Sequence, residues 1–513
     1  MRLPRSIVLP VRVCAMTAAA LMLSACTVNP VPLTEAELAT GATDNMARIN
    51  GVVEPIGRTL DLYEAMARAI KYNLDQEVEL ADRAVKLKEL DLAHFSLLPT
   101  AVANSGYAAR DNYSASSSLN LLTGAQNFGA STGQEKKITS ADIGFSWNVL
   151  DFGLSYVRAR QAADKVLIQD EMRRKVTVRL IEDVRTAFWR AVSADRLAGR
   201  LKTLEAKTKA ILAATRQLSN THDTSPVTAL TYERELVEIK RTIGELEREQ
   251  ATAKSQLAAL INVPPGSKFT LAASKHTHVP PHLKMPVPEM MQTALVNRAE
   301  VREVEYQKRI NIHDADAAFL ELLPGIQLVA GANFDSNDFL LNNNWVNWGA
   351  KASWNLIKVF SYPAREAVID AQSELLDKRT LALSLAIMTQ VHVSRVQFMH
   401  SRKELMTAQE YRDVQARLLD QIRSEATAGR VSQQTLVREE LNTLVAEAKL
   451  DLAYSALENS YANVFASMGL DPFENISNRD VPTHELASEL RRIWIERGDS
   501  APSRKTAMSM QPR

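Results

Sequence analysis

Ala69 to Pro99 reads AIKYNLDQEVELADRAVKLKELDLAHFSLLP, and Ala294 to Pro324 reads ALVNRAEVREVEYQKRINIHDADAAFLELLP. Both stretches close on Leu-Leu-Pro (Leu97-Leu98-Pro99 and Leu322-Leu323-Pro324), and Gly106 then pairs with Gly331 at the same offset. Further on, Trp147-Asn148 answers Trp354-Asn355, Ser225 answers Ser432 and Pro265 answers Pro472, at a second constant offset. The offsets differ because the loop after Tyr113 is longer than its counterpart after Phe334. A unit of helix, strand, loop, strand and long helices has been duplicated, and an internal repeat of this kind decides the architecture before any local signal. The first repeat covers residues 60–265, a connector 266–287, and the second repeat 288–472.

Between the repeat markers the chain is helical over unusual lengths. Only 18 glycines occur in 513 residues, and Thr100–Ser225 and Ala364–Asp471 contain no proline. Ser155 to about Leu218 is rich in Ala, Leu, Lys, Arg and Glu; Leu197, Leu201, Leu204, Ile211 and Leu218 keep a heptad-compatible spacing. Leu236, Ile239, Ile243 and Leu246 resume it after a polar turn at Ser219–Pro226. Sixty-odd residues at the α-helical rise make a rod of roughly 95 Å. Ala364 to about Glu425 is its twin, turning at Ala426–Ser432. The pattern predicts two long antiparallel helical hairpins.

Four segments switch to a period of two. Ile143, Phe145, Trp147 and Val149 alternate with Gly144, Ser146 and Asn148; Ile326, Leu328, Ala330, Ala332 and Phe334 alternate with Gln327, Val329, Gly331 and Asn333. Trp348, Ala350, Ala352, Trp354 and Leu356 form a third set, and Ala101–Ala109 alternates weakly at the repeat-equivalent position. About ten residues with one apolar face is the pattern of a transmembrane β-strand. A soluble sandwich would show the same alternation. Four strands are too few to close a barrel, and a free edge cannot face lipid, so the membrane reading requires several copies. Trp345, Trp348 and Trp354, with Tyr107 and Tyr113, suit interfacial aromatic belts. The loops Asn112–Lys137 and Asp335–Asn344 are rich in Ser, Asn and Gly, as solvent-facing loops are.

The N-terminus reads as a processing signal, residues 1–25: Arg2, Arg5 and Arg12 precede an apolar run, Val13–Leu23, too short to span a bilayer. It ends in Leu23-Ser24-Ala25-Cys26, which resembles the lipobox of bacterial lipoproteins. That resemblance implies a lipid on Cys26, and Thr27 in the following position points to the outer membrane. Residues 26–59 are then a lipid-anchored linker, and residues 473–513 a tail, disordered in part, with one helix at His484–Glu496. Without the signal the chain keeps Cys26 alone of its 2 cysteines, so no internal disulfide forms, and 58 basic residues face 60 acidic ones, a net charge near −2. No basic excess is present to hold nucleic acid.

Taken together the duplication, the Leu-Leu-Pro leading into each first strand, SWNVLDFG at Ser146–Gly153 and AGRVSQQTL at Ala428–Leu436 resemble the TolC-like outer-membrane factor family. The likeness runs from about Leu60 to Pro472. It implies a mainly α fold with a β-barrel part: a homotrimer in which four strands per protomer build a twelve-stranded barrel and the helices an α-helical tunnel. It further implies an exit duct of a tripartite efflux or type I secretion system in a Gram-negative outer membrane, working with a periplasmic adaptor and an inner-membrane transporter. The rival reading is a lipidated, non-channel coiled-coil scaffold of the envelope.

Two departures from the family pattern carry expectations of their own. Leu356-Ile357-Lys358-Val359-Phe360 stands where the first copy has Leu150-Asp151-Phe152-Gly153, which predicts a differently built corner. Many members carry an Asp after the helical turn; the matching positions here are Thr228 and Thr435, and Arg430 and Arg438 add positive charge. These four are the candidate residues of a periplasmic aperture. Arg438 has no carboxylate at i±3 or i±4 on its own helix, which leaves two readings: an unpaired cation facing the aperture, or one that Glu425, Asp223 or a neighbouring helix pairs or that points outward to the adaptor.

No catalytic motif appears: there is no Gly-rich phosphate loop, nucleophile elbow or H-E-x-x-H helix. No cofactor is expected beyond the covalent lipid. His276, His278 and His282 are spaced to meet a divalent metal, but they lie in the Pro-rich connector, where an exposed linker is the simpler reading. His392 and His400 sit on a helical stretch, and the charges of the long helices read as solvated faces and i,i+4 pairs.

Overall fold

The computed structural model describes residues 30–51, 54–57, 59–220, 226–264, 266–267, 269–272, 283, 285–470 and 481–499. Cys26 and the connector histidines His276, His278 and His282 lie outside the described residues. The chain separates into two compact units, Met1–Val53 and Glu54–Arg513. The first contains helix α1 (Glu35–Gly51), opened by a capping box in which Thr34 N–H donates to Glu37 Oε2 at 2.8 Å and Glu37 N–H to Thr34 Oγ1 at 3.3 Å.

The second unit carries the repeat, and its element lengths match copy for copy. Helices α2 (Leu62–Tyr72, 11 residues) and α3 (Leu74–Phe95, 22 residues) answer α6 (Val287–Asn297, 11) and α7 (Ala299–Leu320, 22). The long helices α4 (Val149–Asn220) and α8 (Leu356–Thr427) have 72 residues each; the returning helices α5 (Pro226–Leu260) and α9 (Gln433–Ser467) have 35 each. Each quoted stretch is broken at the same place. Asn73 ends α2 through its N–H to Ala69 O (3.0 Å) and caps α3 through Oδ1, which accepts from Asp75 and Gln76 N–H. Arg298 ends α6 in the same way (N–H to Ala294 O, 2.9 Å) but has no side-chain cap to offer α7. After α3 and α7, the Leu-Leu pairs form tight i→i+3 turns and proline stops the helix (Leu98 N–H to Phe95 O, 3.1 Å; Leu323 N–H to Leu320 O, 3.0 Å).

Strands β1 (Thr100–Ala109), β4 (Lys137–Asn148), β5 (Gly325–Asp335) and β6 (Asn344–Ser353) form one antiparallel sheet in the order β1-β4-β5-β6. Between β1 and β4 the expected solvent loop folds into a hairpin of its own, β2 (Ala115–Leu119) and β3 (Gln126–Thr132). The helices lie side by side in the order α3-α4-α7-α8 next to the sheet; farther along, α5 packs on α4, α4 on α9 and α9 on α8. Sheet order and helix order therefore agree, and β1 with α3, and β6 with α8, are the two edges of the unit.

The strand-to-helix corners share one cap and differ around it, as the sequence predicts: α4 follows β4 without a break, whereas Trp354 and Asn355 lie between β6 and α8, and Trp354 Nε1 donates to Leu322 O at 2.9 Å. Asn148 Oδ1 accepts from Leu150 N–H (3.0 Å) and Asn355 Oδ1 from Ile357 N–H (3.2 Å), so the repeated Trp-Asn pair supplies the same cap twice. The caps also start α4 and α8 earlier than composition indicates, and α8 runs through Pro363. Glu321 straddles that proline, accepting from Lys358 Nζ at 3.0 Å and Arg365 Nη1 at 2.7 Å. Val149, Trp354 and Leu356 accordingly fall outside the strands.

The helical core is the predicted heptad seam. Leu197, Leu201 and Leu204 of α4 bury against Leu236, Ile239 and Ile243 of α5 and Val437, Leu441 and Leu444 of α9. Beside it, Arg196, Arg200 and Lys207 of α4 pair with Asp451, Glu447 and Glu440 of α9. These charges bind one hairpin to the other across the antiparallel seam, in addition to the i,i+4 pairs expected. Helix α10 (Thr483–Asp499) docks on α2, its Trp494 ring edge-on to Tyr461 and beneath the Arg185 guanidinium.

Candidate functional site

Pairing register sorts the sheet into two unlike faces. One row runs Ala101, Phe145, Ala330, Trp348; its neighbours are Ala103, Ile143, Ala332, Val346 and, over three strands, Trp147, Leu328, Ala350. The opposite face carries Asn104, Asp142, Asn333 and Trp345 in one row, with Val102, Gly144, Gly331 and Asn347 in the next. The polar side chains there bond along the face: Asn104 Nδ2 to Asp142 Oδ2 (2.9 Å), Gln327 Nε2 to Ser146 Oγ (2.6 Å) and Asn333 Nδ2 to Asn347 Oδ1 (2.6 Å). Gly331 is required where the sheet is tightest, because a Cβ there would meet Ile143 O at 3.2 Å and Asn347 Oδ1 at 3.0 Å.

A soluble sandwich would cover the apolar face, yet it lies open. Ile143, Phe145, Ile326, Leu328 and Val346 are all exposed, and Trp348 is 85% exposed. Trp345 falls on the polar face, so it does not join Trp348 in an aromatic belt on the other. The edges are equally unpartnered. Val78, Val85 and Leu92 on α3 are exposed at steps of seven residues, and on α8 Val368 with Leu375, and Met399 with Met406, form two exposed pairs of the same spacing, apolar edges open to a partner helix.

At the far end of the second hairpin, α8 stops in a Schellman turn: Arg430 N–H reaches Glu425 O (2.9 Å), Gly429 N–H reaches Ala426 O (3.1 Å), and Gly429 has φ +70°. Ser432 then caps α9, its Oγ accepting from Thr435 N–H at 3.2 Å and lying 3.0 Å from Thr435 Oγ1. Thr435 is thereby engaged in the cap. Arg430 is exposed, and among the described residues no carboxylate pairs with it. Thr228 lies in the first turn of α5.

Of the two readings of Arg438, the structure favours the paired one. Its Nε donates to Glu439 Oε1 at 3.4 Å, and Nη1 lies 4.0 Å from Glu235 Oε2 on α5. Glu439 stands at i+1, outside the i±3 and i±4 spacings that pair charges along a helix face. Glu439 is itself a buried node, accepting from Gln415 Nε2 of α8 (2.7 Å) and Asn442 Nδ2 (3.1 Å). Burial alone would raise its pKa; the bonds from Asn442, Gln415 and Arg438 outweigh that and hold it below the ordinary 4.5.

A polar cleft of about 380 Å³ lies where α9 ends against the start of α7, between α4 and α8. Three of its four cations are committed to the backbone and to neighbouring acids: Arg174 Nη2 to Gly469 O (2.6 Å), Arg298 to Ala466 O and Glu300, Lys175 to Glu303; Arg179 is the fourth. It is a structural joint. Among the described residues no group of three His, Cys, Asp or Glu is placed to hold a metal, and no helix is long and apolar enough to cross a membrane. His313 is buried between Asp164 and Asp316, 3.7 and 3.4 Å away.

No protein-family model matches the sequence, and no curated protein matches it. Solved structures do match the fold. The Campylobacter jejuni CmeC outer membrane channel superposes with a TM-score of 0.61 at 14% identity, over 84% of this chain and 89% of that one. CusC, described in terms of folding and transmembrane channel formation, gives 0.59 at 16% identity over 82% and 95%. The open state of the Neisseria gonorrhoeae MtrE outer membrane channel gives 0.60 at 15% over 80% and 89%. At such identities the likeness is one of fold. The chain has the fold of the TolC-like outer-membrane factors: helical hairpins joined to a β part.

Proposed function

We propose that this chain is the outer-membrane exit duct of a tripartite efflux or type I secretion system, a passive channel from periplasm to exterior. The observation that carries the reading is the two-faced open sheet. One face is apolar and uncovered, the other polar and hydrogen-bonded, and both edges are free. Lipid on the first face and water on the second satisfy both, provided no edge remains. Three copies of a four-stranded sheet close a barrel of twelve strands, an even number as an antiparallel barrel requires. The same rotation brings the heptad stripe of α3 against the apolar pairs of α8 in the next copy, continuing the wall as a helical tunnel. A coiled-coil scaffold has no use for such a sheet.

In this reading Cys26 bears the lipid after removal of residues 1–25, residues 26–59 link the anchor to the duct, and the two repeats and their connector form each protomer. The Ala426–Ser432 turn, with Thr228, Arg430, Thr435 and Arg438 nearby, forms the periplasmic mouth, where an adaptor and an inner-membrane transporter supply cargo and energy. Neighbours in fold that are outer membrane channels support a protein that performs no reaction itself.

The test is the molar mass of detergent-solubilised protein by light scattering, followed by planar-bilayer recording and mass spectrometry of the mature N-terminus. A trimer that conducts ions and begins at an acylated Cys26 is the expected result. A monomer without conductance overturns the duct, and an unmodified Cys26 overturns the anchor.

A further inference from the structure

The β2–β3 hairpin forms a two-stranded sheet of its own, separate from the four-stranded one. From Asn112 to Gln134 the chain has no charged residue, while Arg110, Asp111, Glu135, Lys136 and Lys137 gather at the base. That base is braced. Asn337, 4% exposed, donates Nδ2 to Gly133 O (2.9 Å) and accepts Glu135 N–H at Oδ1 (3.1 Å), and the Lys136 ammonium lies 4.6 Å from the centre of the Tyr113 ring. The tip is closed by Asn120, whose Oδ1 accepts from Leu122 and Thr123 N–H, with Gly124 at φ +68°. The turn so formed holds Leu121 and Leu122 outward, 91% and 98% exposed, and Phe128 on β3 is 82% exposed.

A braced arm ending in large apolar side chains is built to be covered. Contact with an anionic headgroup layer would select Lys or Arg near the tip, and here they are confined to the base. Threefold symmetry multiplies every charge near the axis, so an arm without charge is the kind that three copies bring together. We propose, resting on the duct reading above, that Leu121, Leu122 and Phe128 of the three protomers meet at the exit and form an apolar constriction there, the occupant of each arm's apolar tip being the arm of another copy.

The experiment uses the full lipidated chain carrying Leu122→Cys, in which the acylated Cys26 offers no competing thiol. After light scattering has established the mass, oxidation should link pairs of protomers within each trimer. The double variant Leu121→Asp/Leu122→Asp should raise single-channel conductance severalfold, because six like charges drive the arms apart. Trimers that neither cross-link nor change conductance overturn the inference. Quenching of a fluorophore on Leu122→Cys by brominated lipid overturns it too, placing the tip in the outer leaflet. If no trimer is found, the duct reading falls and takes this inference with it; the mass measured before oxidation tells the two failures apart.

Discussion

Gln415 on α8 donates its Nε2 to Glu439 Oε2 on α9 at 2.7 Å, and the two side chains are 7% and 8% exposed. A carboxylate buried beside the hairpin turn is held there by three donors, so removing it orphans a buried amide. Glu439→Ala should cost about 1–3 kcal/mol, read as a lower thermal midpoint of the solubilised protein; Glu439→Gln should cost less. Because the folded-state pKa of Glu439 is lowered, its contribution is full above the ordinary 4.5 and fades as pH falls below it. The gap between wild type and Glu439→Gln should therefore close on acidification. A gap that widens in acid contradicts the assignment.

Gly469 ends α9 at φ +69°, and a Cβ there would lie 2.6 Å from Asn297 C and 2.7 Å from Asn297 O. The neighbour is backbone, at the break between α6 and α7, so nothing flexible can yield. Gly469→Ala should lose about 1–2 kcal/mol from the left-handed conformation alone, and more from the clash. Reduced yield of folded protein and earlier unfolding on heating would register it; a wild-type melting curve would contradict it.

How far such features were legible in the sequence depends on their range. The repeat, the heptad leucines and the alternating strands are periodic, so Leu201, Ile243 and Phe145 declare their faces without a partner in view. Boundaries set by a single side chain leave no period to read: Asn148 and Asn355 start their helices early, and Glu321 holds α8 together across Pro363 from 37 residues away. The β2–β3 hairpin reads as loop from sequence because Ala115–Ser118 has little strand propensity; its brace, Asn337, is about 200 residues distant. The Arg438–Glu235 pair joins the two repeats, and no spacing rule reaches that far.

Trp348 and Asn104 occupy opposite faces of the sheet. If lipid covers the first, Trp348→Lys near the middle of β6 should destabilise the inserted protein by about 2–4 kcal/mol. Asn104→Lys, beside Asp142 on the polar face, should be tolerated. Urea titration in lipid vesicles measures both. Equal effects would remove the distinction between lipid and water faces.

Glu54 accepts from Lys71 Nζ at 2.7 Å and from Thr483 Oγ1 at 2.8 Å, tying the start of α10 to α2. These bonds, Lys71 first and Thr483 second, outweigh burial and lower its pKa to about 2. The tie is therefore complete above the ordinary 4.5 and is lost only as pH falls from there toward 2. Hydrogen exchange in α10 should quicken over that window in wild type, and Glu54→Gln should already exchange faster at neutral pH with no acid step. Protection of α10 that is indifferent to both changes would show that apolar packing around Trp494 holds the helix alone.

At the proposed mouth, Arg430 and Arg438 differ in what surrounds them. Arg438 is met by Glu439 and Glu235, so its field is largely compensated a few ångströms away. Arg430 extends from the Schellman turn with no described carboxylate beside it. Threefold repetition would set three such cations around one opening, and charges a few ångströms apart in a partly wet constriction interact by about 1–4 kcal/mol. That is enough to bias ion choice. Arg430→Glu should shift the reversal potential under a salt gradient toward cations without altering the melting temperature, because among the described residues no ion pair of its side chain holds the fold. Arg438→Gln should also favour cations by exposing its two acids, but with a loss of stability, since the α5–α9 contact and the Glu439 node lose a donor. Strong cation selectivity in wild type, unchanged by Arg430→Glu, would show that the Ala426–Ser432 turn does not set the field of the aperture.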